Sequence, residues 1–134
     1  MARIVLVMHE PLGQAFSECA RHVFGRPADL TVVDIAPDAD PEAAARQLFA
    51  DLACSAPDAV LMLSDIFGAT PFNIANRARK LLADAGINVH LIAGTNLCMV
   101  LKALTEHEDN PEKLTESVRQ GALRGVVDAD ACGC

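Results

Sequence analysis

Two stretches of the chain, Ile4-Val5-Leu6-Val7-Met8 and Ala59-Val60-Leu61-Met62-Leu63, are apolar at every position. A strand with one face in water alternates apolar and polar residues, so unbroken runs of this length fit strands covered on both faces. Strands of that kind belong to parallel sheets, whose crossover connections lay helices over each face. Neither run approaches the ~20 apolar residues that cross a bilayer, and Met1-Ala2-Arg3 leads into only a short run before His9. A soluble cytoplasmic protein without direct membrane insertion is expected.

The intervening segments carry helical periodicity. After a strand over residues 3–8, Leu12, Phe16, Cys19, Ala20 and Val23 recur at helical spacing, and Gly25 with Pro27 closes a helix over 13–23. A second strand, 30–35, precedes a helix over 42–54 with Asp40 at the N-cap and Pro41 at its first position. A third strand, 59–63, leads to a helix over 71–85, whose stripe of Ile74, Ala78, Leu81, Leu82 and Ala85 stops at Gly86. A fourth strand, 87–93, turns through Gly94-Thr95-Asn96 into a helix over 97–104. Four β-α units with short connections predict an open parallel α/β sheet with helices on both faces. Asn110-Pro111 starts one more helix, to about residue 123, and Gly125-Val126-Val127-Asp128 suits a short fifth strand at the edge. One domain spans 1–130, with a tail over 131–134.

The formal net charge of −7 argues against a nucleic-acid or anionic-membrane surface, since both need clustered Lys and Arg. Five cysteines, an odd number largely within apolar or helical segments, do not form a disulfide framework. Cys132-Gly133-Cys134 lacks a second ligand pair and reads as a frayed end. No pair of His or Cys residues has the spacing of a metal site, so no metal is expected. No cofactor is expected either.

In an open parallel sheet, reactive groups gather beyond the carboxyl ends of the strands. That rule selects His9, Asp65 and Gly94-Thr95-Asn96. If the first and third strands are neighbours, His9 and Asp65 meet, and a carboxylate bonded to one ring nitrogen fixes the tautomer and leaves the other nitrogen free to attack. Thr70 as N-cap and Pro71 at the first helical position would aim unpaired amides at the same edge. Gly68 and Ala69 carry little side chain, so backbone amides there can approach an anion. Taken singly, each signal also fits an ordinary strand end or helix cap. His22, His90 and His107 have no comparable setting.

With those residues in view, the chain resembles the IIA component of the mannose family of the phosphoenolpyruvate-dependent sugar phosphotransferase system. The resemblance rests on Ile4 to Gly13 (IVLVMHEPLG), Asp65 to Asn73 (DIFGATPFN) and Ala93 to Val100 (AGTNLCMV). It implies that His9 accepts a phosphoryl group from phospho-HPr and passes it to a IIB component. It further implies that Asp65 orients His9, that Thr70 lies by the phosphoryl group, and that the protein is a homodimer, in some members with the last strand exchanged. Phe67, Pro71, Asn73 and Asn96 fall in supporting or partner-facing positions. Two departures stand out: Met8-His9-Glu10 replaces Thr-His-Gly, placing a negative charge beside the histidine, and Cys98 replaces a proline. A regulatory IIA that signals by its phosphorylation state is the rival reading. A phosphocarrier for dihydroxyacetone kinase, on a related fold, fits the middle motif less well.

Overall fold

The computed structural model describes residues 2–132. Along the chain come β1 (Arg3–His9), α1 (Leu12–Phe24), β2 (Thr31–Ile35), α2 (Pro41–Ser55) and β3 (Ala59–Ser64). They are followed by α3 (Thr70–Asp84), β4 (Asn88–Ile92), α4 (Leu97–Thr105), α5 (Pro111–Arg124) and α6 (Ala129–Cys132). Among the described residues the strands form one four-stranded parallel sheet in the order β2-β1-β3-β4.

The two apolar runs occupy the two central strands, and alternation explains why every residue in them is apolar. Ile4, Leu6 and Met8 of β1, with Leu61 and Leu63 of β3, point to one core with Met99, Val100, Leu114 and Val118 from α4 and α5. Val5, Val7, Val60 and Met62 point to the other, against Leu48 and Leu52 of α2 and Ile74, Ala78 and Leu82 of α3. Fully burying one such side chain is worth about 1.5–3 kcal/mol, so two complete layers hold β1 and β3 in register. The edge strands tolerate polar residues: β2 carries Thr31 and Asp34, β4 carries Asn88 and His90.

The strand order has a functional consequence. From β1 the chain moves outward on one side to β2, then returns to place β3 on the other, so the order reverses between β1 and β3. The crevice beyond the carboxyl ends at such a reversal is where open α/β sheets bind ligands. Val7 lies opposite Ser64 in the register, which brings His9 and Asp65 to the same edge.

Two expectations need correction. Residues 125–128 do not form a fifth strand: Gly125 has helical dihedrals, the Val126 amide bonds back to Leu123, and Asp128 Oδ1 accepts from the amides of Asp130 and Ala131 to open α6. A strand needs a partner ladder, and in the single chain Val126 and Val127 stay exposed. Thr70 is not the N-cap of α3 either. Ala69, extended at φ −79° and ψ 173°, holds that position, and Thr70 begins the helix. No described helix is long and apolar enough to cross a membrane.

Candidate functional site

His9 ends β1 with its side chain 49% exposed, while Asp65, one residue past β3, is only 7% exposed. Asp65 Oδ2 accepts from the His9 backbone amide at 3.0 Å and lies 2.7 Å from the ring's Nδ1. Its Oδ1 accepts from the Ile66 amide at 3.0 Å. Burial, the largest single influence, pushes the Asp65 carboxyl up. The bonds from the His9 amide, the His9 ring and the Ile66 amide together outweigh it and hold the carboxyl below its usual range. An ionised carboxylate can only accept, so Nδ1 carries the proton and donates it. In the neutral ring, Nε2 then keeps its lone pair, and it makes no hydrogen bond among the described residues.

The depressed carboxyl has a measurable consequence. Because the folded value lies below the unfolded one, near 3.9, the stabilisation from Asp65 is fully present above the ordinary carboxylate range. It is lost as pH falls through the folded value. The urea midpoint of the native chain is therefore expected to exceed that of Asp65→Asn at pH 7, with the gap closing below about pH 4. A gap that widened in acid would contradict the ionised pair.

The backbone beneath Asp65 is pinned from β4's end: the Gly94 amide donates to Asp65 O at 3.1 Å, and the amide and hydroxyl of Thr95 donate to Ser64 O at 3.2 and 2.7 Å. Gly68 has φ +82°, a left-handed conformation that favours glycine, and it turns the loop toward α3. Asn73 Nδ2 donates to Gly68 O at 3.3 Å and ties the loop to the first turn of α3. Since Ala69 has no side-chain acceptor, the amides that open α3 receive no side-chain cap.

A cavity of about 250 Å³ joins these parts, with His9 and Glu10 on one wall, Ala36 and Pro37 on another, and Thr70 and Pro71 on a third. Thr70 thus shares a cavity with His9 without a hydrogen bond between them. A larger cavity, about 570 Å³, lies at the amino ends of the strands beside Arg3, Asp29 and Asp58. The reversal of strand order makes no crevice there. Ile66 and Phe67 stand 57% and 78% exposed beside the site, and the Phe67 ring packs on Phe72 with centroids 4.9 Å apart. Among the described residues no three His, Cys, Asp or Glu side chains group as metal ligands.

Asn96 is spent inside the fold: its Oδ1 caps α4 through the Met99 amide at 2.8 Å, and its Nδ2 donates to Ala122 O at 3.2 Å. Glu10 and Cys98 are exposed, and the Glu10 amide bonds to Ile35 O at 3.1 Å. Sequence reasoning missed Asp34, whose carboxylate takes the Gly13 and Gln14 amides at 2.8 and 3.0 Å. The available signal was an acid interrupting the otherwise apolar end of β2.

The family model EIIA-man, described as "PTS system fructose IIA component", matches residues 3–120. The chain belongs to this family. The match to this IIA family takes in His9, Asp65, Thr70 and Asn96, along with all four strands. No curated protein sequence matches the chain. Among solved structures, it is similar to the phosphotransferase system component EIIA from Streptococcus agalactiae (TM-score 0.86, 19% identity, covering 98% of this chain and 100% of that one). It is also similar to the mannose/sorbose specific IIA subunit from Enterococcus faecalis (TM-score 0.81, 22% identity, 95% and 93% covered). A third is the PTS IIA protein associated with the fucose utilization operon of Streptococcus pneumoniae (TM-score 0.73, 15% identity, 100% of each chain covered). At these identities the structures establish the fold, and the family match establishes the IIA component.

Proposed function

We propose that this IIA component is a phosphoryl carrier, with His9 Nε2 taking the group from the phosphohistidine of HPr and handing it to a IIB component for carbohydrate uptake. The observation that carries this reading is the 2.7 Å contact between Nδ1 and an ionised Asp65 on a half-exposed ring. It leaves Nε2 as the ring nitrogen with a lone pair.

In the step, the Nε2 lone pair forms a bond to phosphorus as the donor's P–N bond breaks, and that electron pair returns to the donor imidazole. The proton on Nδ1 stays where it is. The His9 ring therefore gains positive charge in the transition state, and the adjacent carboxylate stabilises that charge without moving. The amides opening α3 and the Thr70 hydroxyl meet the transferring oxygens. Both reacting atoms are imidazole nitrogens, so the residues of this chain perform the transfer by positioning and charge alone. The exposed Ile66 and Phe67 give the docking protein an apolar contact beside the reacting ring. A cytoplasmic homodimer is part of the same reading.

Incubation with phosphoenolpyruvate, enzyme I and HPr is expected to label the protein with a phosphoryl group that is labile in acid and stable in alkali. A protein that takes no label, or one whose label survives acid, would overturn the proposal.

A further inference from the structure

We infer that Asp34 is a positioning residue for His9, acting through a latch with Gly13 that fixes the chain corner leaving β1. The inference rests on His9 being the phosphoryl acceptor, though part of its test does not.

The corner is short. Three residues, Glu10, Pro11 and Leu12, separate His9 from Gly13. On the β3 side, His9 is held by Asp65 through both its amide and its ring. On the β2 side, two consecutive residues hold the corner and the start of α1: Ile35 O accepts from the Glu10 amide at 3.1 Å, and Asp34 takes Gly13 N on Oδ1 and Gln14 N on Oδ2. Pro11 at the N-cap of α1 offers no side-chain acceptor, and the first turn of α1 contains no acid. The acceptor that a helix start requires is therefore imported from the neighbouring strand. That importation couples the position of α1, and the corner before it, to β2.

Gly13 is what lets the carboxylate come so close. A Cβ at residue 13 would meet Asp34 Oδ1 and lie 3.0 Å from Val32 Cγ1, so an alanine there pushes the carboxylate off the two amides. Since His9 N and Nδ1 share one oxygen of Asp65, a displaced corner disturbs both bonds together.

The test compares Asp34→Ala, Asp34→Asn and Gly13→Ala with the native chain. Single-turnover phosphorylation from phospho-HPr is expected to slow about ten- to a hundredfold at saturating donor in Asp34→Ala and Gly13→Ala, with the half-saturating donor concentration unchanged. Asp34→Asn, which keeps one acceptor oxygen, falls between. The ¹⁵N ring signals of His9 are expected to pass from one Nδ1-protonated tautomer to an exchanging mixture. The double variant should be no slower than Asp34→Ala, because both changes open the same latch. Gly13→Ala separates this role from helix propensity, since alanine is the better helix former and any loss comes from what its Cβ meets on β2, the Asp34 carboxylate first and Val32 second. Variants within twofold of the native rate with native ring signals overturn the inference, as does a loss confined to donor affinity. If the native chain accepts no phosphoryl group, the carrier proposal fails, and the ring signals alone then decide the role of Asp34.

Discussion

His9→Ala protein is expected to accept no phosphoryl group from phospho-HPr under conditions that label the native chain completely, while keeping its fold. The chemical half of this expectation follows from the ring: Nε2 is the lone pair at the strand-end crevice, and Asp65, held ionised by its hydrogen bonds, is oriented toward the nitrogen it binds. The structural half follows from what alanine retains. The backbone amide at residue 9 still donates to Asp65 Oδ2, and the Ile66 amide still donates to Oδ1, so the carboxylate keeps two partners. The lost ring is half-exposed and belongs to neither core layer. Removing its one hydrogen bond, made to a charged carboxylate, costs about 1.5–3 kcal/mol, a shift of several degrees in melting temperature. Autoradiography with a thermal melt checks both halves. Label retained by a well-folded His9→Ala chain would move the acceptor to another histidine, and the whole site with it.

How far the sequence could be read depended on whether the cause was local. The apolar runs betrayed β1 and β3 because burial on both faces leaves no polar position, and the residues directly after them became candidates by the strand-end rule. Every strand and long helix lies within about a residue or two of where periodicity put it, within the ordinary uncertainty of element ends. The one-residue slip at α3 has a simple origin: Thr-Pro fits N-cap and first helical position as well as first and second, and only the extended dihedrals of Ala69 decide between them. Gly125 to Asp128 misled because β-branched residues mark strand preference, while a strand also requires a partner ladder, and here the amides of Gly125 and Val126 bond back to the end of α5 instead. The bonds of Thr95 to Ser64 and of Asp34 to Gly13 and Gln14 were out of reach, because they join residues 31 and about 20 apart whose meeting depends on the strand order. Glu10, the charge next to the histidine in sequence, lines the same cavity as His9.

Asp65→Asn is expected to reduce the rate of phosphoryl acceptance by about three to four orders of magnitude, the scale seen when a carboxylate that sets a histidine tautomer becomes an amide. The native carboxylate accepts three bonds, two on Oδ2 from His9 and one on Oδ1 from Ile66. An amide of the same shape has one acceptor oxygen, so its NH₂ must face a donor. If the oxygen stays with His9, the NH₂ opposes the Ile66 amide and the loop after β3 is pushed away from the ring. If the oxygen turns to Ile66, the NH₂ donates to Nδ1, and the neutral ring then carries its proton on Nε2, where the lone pair was needed. Either arrangement also leaves the positive charge that builds on the ring without its counter-charge, in a place where the phosphoryl group itself cannot supply one to Nδ1. Rapid-quench labelling should show the loss at saturating phospho-HPr, and ¹⁵N spectra should show protonated Nε2 in a substantial fraction of the neutral ring. An Asp65→Asn chain within tenfold of the native rate would mean that the carboxylate neither sets the tautomer nor stabilises the charged ring, and the 2.7 Å contact would then serve the fold rather than the transfer.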